Sequence, residues 1–216
     1  MSDTKKRTLA RYTYFQRVNH WFIALCFILL TVSGLALFHP SMYWMSNLLG
    51  SATWTRILHP FIGVAMFVAF FIFAIRLFRD NRITAEDRQW LRKFPAVINQ
   101  ETEGIPESGK YNGGQKLLFF VFILLMIGLL ITGVIGWRSY FSAYFTIDTV
   151  RIGLLLHALF GFLLICSVIV HIYAGIWVRG SIRAMTRGKV SYGWAWKHHR
   201  AWFRKAVREQ QTDGRN

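Results

Sequence analysis

The sequence has few acidic residues and almost no cysteine. Asp and Glu supply 10 of the 216 residues, and none of them lies in the four long apolar runs of the chain. A proton pump normally needs a carboxylate relay inside the membrane, so this absence argues against one. Cys26 and Cys166 stand alone inside apolar runs and indicate neither a disulfide nor a cysteine-rich metal site. The sequence lacks C-x-x-C-H, which excludes covalently attached haem.

Four uncharged apolar runs account for most of the 54% hydrophobic content. They are Trp21–Phe38, Ile57–Ile75, Leu117–Trp137 and Ile152–Val178. Each is long enough to cross the roughly 30 Å hydrocarbon core of a bilayer as a helix. The tails and loops that remain are too short for a separate soluble domain of ordinary size, so any catalytic domain must lie on a partner.

We therefore predict an all-α membrane protein, in which a four-transmembrane-helix bundle forms one integral-membrane domain over residues 1–216. The predicted spans cover about 20–38, 57–78, 115–137 and 151–178, and a basic tail follows at 179–216.

The basic residues are concentrated in three segments. Five lie in residues 1–19, seven in 79–116 and ten from residue 179 onward. By the positive-inside rule, both termini and the middle loop are cytoplasmic. The net charge of +16 therefore indicates membrane topology and contact with the lipid bilayer, with no nucleic acid as partner.

The middle loop contains a candidate helix. Thr84 and Asp87 form a weak capping signature, and several apolar side chains after them fall on one helical stripe. These are Trp90, Leu91, Phe94, Val97 and Ile98. The stripe fits an interfacial helix, and equally a helix packed on the inner face of the bundle.

Four histidines lie at or inside the predicted spans. A histidine there is costly unless it has a partner. His20 enters the first span from the inside, and His59 begins the second span from the outside. The fourth span runs from His157 near the outside to His171 near the inside. Topology therefore pairs His59 with His157 and His20 with His171.

The spacing within the fourth span supports a shared purpose for its two histidines. Fourteen residues place His171 about 21 Å below His157 and only about 40° around the helix. The residue four positions after each histidine is also small, which leaves room for a flat macrocycle on that face. These small residues are Ala24, Gly63, Gly161 and Gly175.

Two bis-histidine b haems are the interpretation that we prefer for these pairs. Neutral imidazole is a common axial ligand, and a bundle interior provides an apolar slot. Helix-to-helix hydrogen bonding is the usual role of a single intramembrane histidine. A zinc or copper site is the rival, but two imidazoles alone leave such a metal under-coordinated. We assign His39, His198 and His199 as surface or interface residues.

The residues 110–116 form a candidate acceptor site at the inner end of the third span. Asn112 and Gln115 stand three apart, as an N-cap and its reciprocal partner do, and Gly113 and Gly114 supply the turn. The same helix N-terminus, with free N–H groups and amide side chains, is suited to a quinone oxygen that gains negative charge.

Several segments resemble the cytochrome b (gamma) subunit of membrane-bound respiratory formate dehydrogenase. They are Gly50–Gly63 with Arg-Ile-Leu-His-Pro-Phe, Lys110–Lys116, Thr132–Phe141 with Gly-Trp-Arg-Ser-Tyr-Phe, and His171–Trp202 with Trp-Val-Arg-Gly-Ser-Ile and Lys-His-His. The resemblance covers nearly the whole chain. Hydrogenase cytochrome b subunits share the general plan.

The resemblance implies two non-covalent b haems and menaquinone as the substrate. The outer haem is expected on His59 and His157, and the inner haem on His20 and His171. The quinone pocket is expected at Asn112, Gly114, Gln115 and the neighbourhood of His171.

The resemblance also implies an electron-transfer and quinone-reducing role in the bacterial inner (cytoplasmic) membrane. Electrons are expected from an iron-sulfur (beta) subunit with a transmembrane helix, and formate oxidation is expected on a catalytic alpha subunit. Uptake of cytoplasmic protons by the quinone then completes a redox loop.

Three alternatives stay open on the sequence. The first is a haem-free membrane scaffold or metal transporter, which would have no visible chromophore. The second is a cytochrome that passes electrons outward to iron, with its acceptor site outside. The third is a cytochrome b subunit of a hydrogenase-type or other quinone-reducing complex, which differs only in the partner.

Overall fold

A computed structural model describes residues 7–99 and 104–213. The described helices are α1 (Tyr14–Phe38), α2 (Ala52–Leu77), α3 (Ala85–Arg92), α4 (Phe94–Ile98), α5 (Gly113–Gly136), α6 (Ile147–Trp177), α7 (Ser181–Arg187), α8 (Tyr192–His198) and α9 (Arg200–Asp213). Two short strands, β1 (Thr8–Ala10) and β2 (Lys189–Ser191), are also described, together with three 3₁₀ segments at Pro40–Leu49, Arg79–Asn81 and Ser142–Tyr144. Both chain ends, predicted to be cytoplasmic, lie outside the described residues.

Four helices are long and apolar enough to cross a membrane, which confirms the predicted fold class. They are α1, α2, α5 and α6. Each begins two to six residues before the predicted span, because the helix continues beyond the apolar run. Large apolar side chains on these helices are exposed, as Ile75 (72%) and Leu155 (70%) illustrate. Exposed hydrophobic surface on this scale fits helices surrounded by lipid.

The chain forms two compact units, and the second of them contains the larger parts of α1, α2, α5 and α6. It comprises residues 18–75 and 121–172. Polar side chains here bond to backbone, because no water is available inside a bilayer. The amide of Asn19, for example, donates to the carbonyl of Ala69 on α2 at 2.9 Å. Near the start of α2, the ring of Phe61 stands edge-on to Trp137, with centroids 5.1 Å apart.

The first unit comprises the described parts of residues 1–17, 76–120 and 173–216. Its strands β1 and β2 pair antiparallel, with Leu9 opposite Val190. Leu9, Val190, Ala184 and Ala195 form a small buried core. Neither the strand pair nor helices α7 to α9 were predicted from the sequence, which described the tail only as basic.

The middle loop folds as two helices, so the single predicted stripe is wrong. The capping box of Thr84 and Asp87 is confirmed at the start of α3. Helix α3 ends before Lys93, and α4 begins at Phe94 with Pro95 in its first turn. Proline has no N–H to donate back to the preceding turn, and it disfavours helical geometry in the residue before it. The stripe is therefore interrupted at this point.

Helix α3 packs closely against the start of α5. A Cβ added at Gly113 would lie 2.8 Å from the backbone oxygen of Asp87, and one added at Gly114 would lie 3.1 Å from the ring of Trp90. The two glycines are thus required by the close approach of these helices. The buried ammonium of Lys116 on α5 donates to the buried carboxylate of Asp87 at 2.6 Å and to the carbonyl of Arg82 at 2.9 Å.

His199 is 2% exposed, so the assignment of this histidine to the surface is wrong. Its Nδ1 lies 2.8 Å from the carbonyl of Gly109, and its Nε2 lies 3.3 Å from the guanidinium of Arg11. Burial, and then the charge of Arg11, lower the pKa of His199 to about 3. The ring is therefore neutral and donates from Nδ1 to Gly109. His39 is exposed and His198 is half-buried.

We expect Asp87→Asn to destabilise the protein by about 3–5 kcal/mol, because the buried ammonium of Lys116 would lose its counter-charge. An asparagine oxygen still accepts from the backbone of Thr84, so the cap is retained. Thermal unfolding in detergent micelles measures the effect.

Burial raises the pKa of Asp87, but hydrogen bonds from Lys116 and Thr84 outweigh it, and the pKa falls below 3.8. The ion pair of Asp87 with Lys116 therefore stabilises the fold at pH values above the ordinary pKa of an aspartate. This stabilisation is lost as the pH falls through the lowered pKa of Asp87.

The control is Asp148→Asn, which removes an exposed ion pair with Arg151. Its expected cost is within about 1 kcal/mol. Equal unfolding midpoints for Asp87→Asn and Asp148→Asn would contradict a stabilising role for the buried pair.

Candidate functional site

The structure brings the four intramembrane histidines together in two pairs. His59 of α2 faces His157 of α6, with ring centroids 6.2 Å apart. His20 of α1 faces His171 of α6, with ring centroids 6.3 Å apart. These are the pairs that topology predicted. His171 is exposed in the protein alone, and the other three rings are half-buried.

The distance between the rings of each pair fits two axial ligands on one iron. In each imidazole, the ligating nitrogen lies about 1.1 Å from the ring centre. Two imidazoles on opposite sides of a metal, each at about 2.0–2.1 Å, therefore have centroids roughly 6.3 Å apart. Both pairs match this distance. Among the described residues, no group of three or more His, Cys, Asp or Glu side chains is placed to hold a metal ion. A pair of neutral imidazoles is the axial donor set of a bis-histidine haem.

The rings of His59 and His157 are each held by a hydroxyl group. The Oγ of Ser33 on α1 lies 2.7 Å from Nδ1 of His59. The Oγ1 of Thr132 on α5 lies 3.0 Å from Nδ1 of His157. A metal-ligating histidine usually has such a partner on its other nitrogen, and the partner fixes the orientation of the ring. Because Nδ1 faces the hydroxyl in both rings, Nε2 is the nitrogen that could ligate a metal.

The surroundings of His20 and His171 are aromatic. His20 packs edge-on against Trp21, with centroids 5.4 Å apart, and lies 6.4 Å from Phe73. His171 lies 6.0 Å from Phe122. The Nδ1 atom of His20 is buried and has no hydrogen-bond partner in the described part of the chain. This pair is therefore held by packing, whereas the other pair is held by hydrogen bonds.

Small residues leave open space on the helix faces that carry the histidines. A Cβ added at Gly161 or Gly175 would meet no described atom within 4 Å, once the helix's own backbone is set aside. A Cβ added at Gly63 would approach only the end of the Leu30 side chain, at 3.9 Å. This space is what the prediction of a flat macrocycle beside the histidines requires.

The start of α5 has the reciprocal cap that the sequence predicted. The backbone N–H of Gln115 donates to Oδ1 of Asn112 at 2.9 Å, and the backbone N–H of Asn112 donates to Oε1 of Gln115 at 3.0 Å. The cap uses the side-chain oxygens and leaves both amide NH₂ groups available as donors. Asn112, Gly114 and Gln115 belong to the first compact unit, whereas His171 belongs to the second. A quinone pocket that includes all four stays a prediction.

Sequence reasoning missed Ser33 and Thr132. A signal was available, because each hydroxyl residue is followed directly by glycine inside an apolar run, at Ser33-Gly34 and Thr132-Gly133. Each pair also lies near the outer end of its predicted span, where His59 and His157 were placed.

Comparison with known proteins agrees with this geometry. The family model described as prokaryotic cytochrome b561 matches residues 11–188. The chain is 42% identical to the cytochrome b556(fdo) subunit of formate dehydrogenase from Escherichia coli K12, over 93% of this chain and 94% of that protein. It is 39% identical to the cytochrome b556(Fdn) subunit of the nitrate-inducible formate dehydrogenase of the same strain, over 94% and 93%.

A third relative comes from another organism. The cytochrome b556 subunit of formate dehydrogenase from Haemophilus influenzae is 40% identical to this chain, over 88% of this chain and 80% of that protein. The match to the family model covers more than half of the chain, and the relatives extend the similarity to most of its length. The chain therefore belongs to the prokaryotic cytochrome b561 family, and this membership implies that it binds haem b.

Proposed function

We propose that this chain is the dihaem cytochrome b subunit of a formate dehydrogenase and delivers electrons to menaquinone. The observation that carries the proposal is the presence of two histidine pairs, each with one ring on α6 and each at the ring distance of a bis-histidine haem. The names of the relatives support formate, and not hydrogen, as the source of electrons.

When bound, the two haems would supply one-electron transfer between the two sides of the membrane. His59 and His157 would hold the outer haem through Nε2, with their rings fixed by Ser33 and Thr132. His20 and His171 would hold the inner haem. The apolar helices around the four rings exclude water, and exclusion of water protects the transferred electron from side reactions.

The start of α5 is the part of the chain proposed to bind the quinone. The amide NH₂ groups of Asn112 and Gln115, with the backbone N–H groups of the first helical turn that the cap does not use, are the proposed donors for a quinone oxygen. The positive end of the helix dipole favours negative charge on that oxygen during reduction. The protons would come from the cytoplasm.

We further propose the orientation and partners that the sequence predicted. Both termini are cytoplasmic, because the basic residues are concentrated at the ends and in the middle loop. The membrane is the bacterial inner membrane. An iron-sulfur (beta) subunit with a transmembrane helix contacts the outer face, and a catalytic (alpha) subunit oxidises formate. Charge separation then results from a redox loop.

The two proposed haems can be removed separately. We expect His59→Ala to lose the outer haem and His20→Ala to lose the inner haem, because each iron would have one axial ligand only. A pyridine haemochrome assay with reduced-minus-oxidised spectra on the purified chain gives the haem content, which should fall from two to one in each variant.

The matched control is His39→Ala, which changes an exposed histidine outside the four long helices and should retain both haems. Absence of haem from the wild-type chain would refute the proposal. The four histidines would then be assigned to packing between helices.

The donors at the start of α5 can be removed without loss of the cap. Asn112→Asp keeps an oxygen for the N-cap, and Gln115→Glu keeps the reciprocal acceptor, but each replaces the amide NH₂ donor with a carboxylate oxygen that only accepts. We expect each variant to lower kcat/KM for menaquinone analogue reduction by about 10-fold or more, since a donor to developing charge contributes roughly 2–4 kcal/mol.

Reduction of the haems by formate should stay unchanged in these two variants, because that step precedes the quinone. Unchanged quinone reduction in both variants would rule out the amides as quinone donors and leave them as caps only.

The electron source distinguishes formate dehydrogenase from a hydrogenase-type complex. We expect the complex that co-purifies with this chain to show haem reduction by formate and not by hydrogen, as followed by the visible spectrum under anaerobic conditions. Reduction by hydrogen alone would assign the chain to the alternative partner and leave the haem sites unaffected.

A further inference from the structure

Two matching pairs of residues hold the His59 and His157 rings. Ser33-Gly34 lies on α1 beside His59, and Thr132-Gly133 lies on α5 beside His157. In each pair the hydroxyl contacts Nδ1 of the imidazole and the glycine faces its Cε1 atom. The same device thus occurs twice, on two different helices, for the two rings of one proposed haem.

The hydrogen bonds of the hydroxyl groups determine where the imidazole proton lies. Ser33 Oγ lies 2.7 Å from the carbonyl oxygen of Leu29, and Thr132 Oγ1 lies 2.6 Å from the carbonyl oxygen of Gly128. A carbonyl oxygen only accepts, so the single hydroxyl proton is donated to it. The hydroxyl oxygen must then accept from Nδ1–H of the histidine. Each ring is therefore neutral, with its proton on Nδ1 and a lone pair on Nε2.

The glycines allow the rings to reach this position. A Cβ added at Gly133 would lie 3.1 Å from Cε1 of His157, which is closer than an ordinary contact, so the ring would have to shift. A Cβ added at Gly34 would lie 3.5 Å from Cε1 of His59, which is an ordinary van der Waals distance. The Thr132-Gly133 pair is thus the tighter of the two.

Within the described residues, no hydroxyl group is found to contact the rings of His20 and His171. Nδ1 of His20 is buried without a partner in the described residues, and the neighbours of the two rings are aromatic. The two proposed haems therefore differ in the groups behind their ligands, although the ligands are the same.

The geometry points to Ser33 and Thr132 as positioning residues that lower the midpoint potential of the outer haem. This inference rests on the proposed function. A histidine that donates from Nδ1 to an acceptor is a more basic ligand, and a more basic ligand stabilises ferric over ferrous iron. Two such bonds act on the outer haem, and neither acts on the inner haem.

The consequence concerns the direction of electron transfer. Electrons that move from the outer to the inner side of a membrane with a negative interior move against the membrane potential. A lowered midpoint potential makes the outer haem a stronger reductant. The energy released on transfer to the inner haem then offsets part of the work done against the membrane potential. The hydroxyl groups thus bias the pair of haems toward inward electron flow.

Redox titration of the purified holo-chain tests the inference. The variants are Ser33→Ala and Thr132→Val, which remove the hydroxyl with little change in volume. Each haem gives one redox transition, or wave, in the titration. The wave that is missing from His59→Ala belongs to the outer haem. We expect this wave to move to higher potential in both variants, by the order of a tenfold change in ferric over ferrous preference, or about 59 mV. The wave of the inner haem should stay in place.

Matched controls separate positioning from general packing. Ser167 on α6 donates to the carbonyl of Leu163 at 2.8 Å, as Ser33 and Thr132 do to theirs, but no hydrogen bond joins it to a histidine in the described part of the chain. Ser167→Ala should leave both waves unchanged. Ser33→Thr and Thr132→Ser keep the hydroxyl group, so the outer haem in these variants should have the same midpoint potential as in the wild-type chain. If one variant selectively loses the outer haem, through an affinity lowered about 10- to 100-fold, the loss supports the positioning role of its hydroxyl, and the shift in potential is measured in the other variant.

Three results would overturn it. One is an unchanged outer wave in both variants with full haem content. Another is an equal shift of both waves, which would indicate a general loosening of the bundle. The third is loss of both haems from both variants, which would show that the two hydroxyl groups stabilise the fold and have no specific role at the outer haem. A wild-type chain without haem would instead refute the proposed function, so the two failures are distinguishable.

Discussion

The arrangement of the long helices depends on how imidazole nitrogens find partners in a medium without water. An unsatisfied polar group inside a bilayer costs several kcal/mol, and a neutral imidazole has one donor and one acceptor to satisfy. For His59 and His157, a hydroxyl on a neighbouring helix accepts from Nδ1, and iron would take the lone pair of Nε2. These requirements place α1 beside α2 and α5 beside α6 at defined depths, and the remaining apolar side chains are free to face lipid.

A second constraint is the burial of a cation in the first unit. The guanidinium of Arg11 lies within 4.9–5.7 Å of four aromatic rings, which belong to Tyr12, Tyr111, Trp194 and Trp202. It also bonds to the carbonyl of Lys110, while the neutral ring of His199 bonds to the carbonyl of Gly109. The low pKa of His199 avoids a second positive charge beside Arg11. Both contacts fix the segment that leads into Asn112, so strand β1 and the helices of the tail help to position the start of α5.

Much of this was predictable from the sequence, for a physical reason in each case. The spans follow from hydropathy, because only helices of about 20 apolar residues satisfy their own backbone inside a bilayer. The histidine pairs follow from topology, because alternate spans run in opposite directions and a histidine near one end of a span meets those near the same end of its neighbours. The cap of Asn112 and Gln115 follows from a local pattern of three residues.

Other features depend on information that local patterns do not carry. The hydrogen bond between His59 and Ser33 requires that α1 and α2 have matching rotations about their axes and matching depths in the membrane, to within a fraction of a turn. Hydropathy specifies neither the rotation nor the depth to this precision. Strands β1 and β2 have three residues each and lie about 180 positions apart in the chain, so neither has a signal alone. The burial of His199 depends on a pocket built by distant aromatic residues. The break between α3 and α4 differs, because Pro95 marks it in the sequence.

The start of α5 illustrates how stability and ligand binding use different atoms of the same residues. The side-chain oxygens of Asn112 and Gln115 close the cap, and the absence of Cβ atoms at Gly113 and Gly114 admits the backbone and ring of α3. These features are sufficient to explain why the residues are present in a stable helix. The cap uses only the side-chain oxygens of the two amides, so their NH₂ groups are not needed for it, and the first N–H groups of the helix have no intrahelical carbonyl partners, as at any helix N-terminus. A fold that needs this turn for packing therefore acquires, at no further cost in stability, a set of donors suited to an acceptor that gains negative charge.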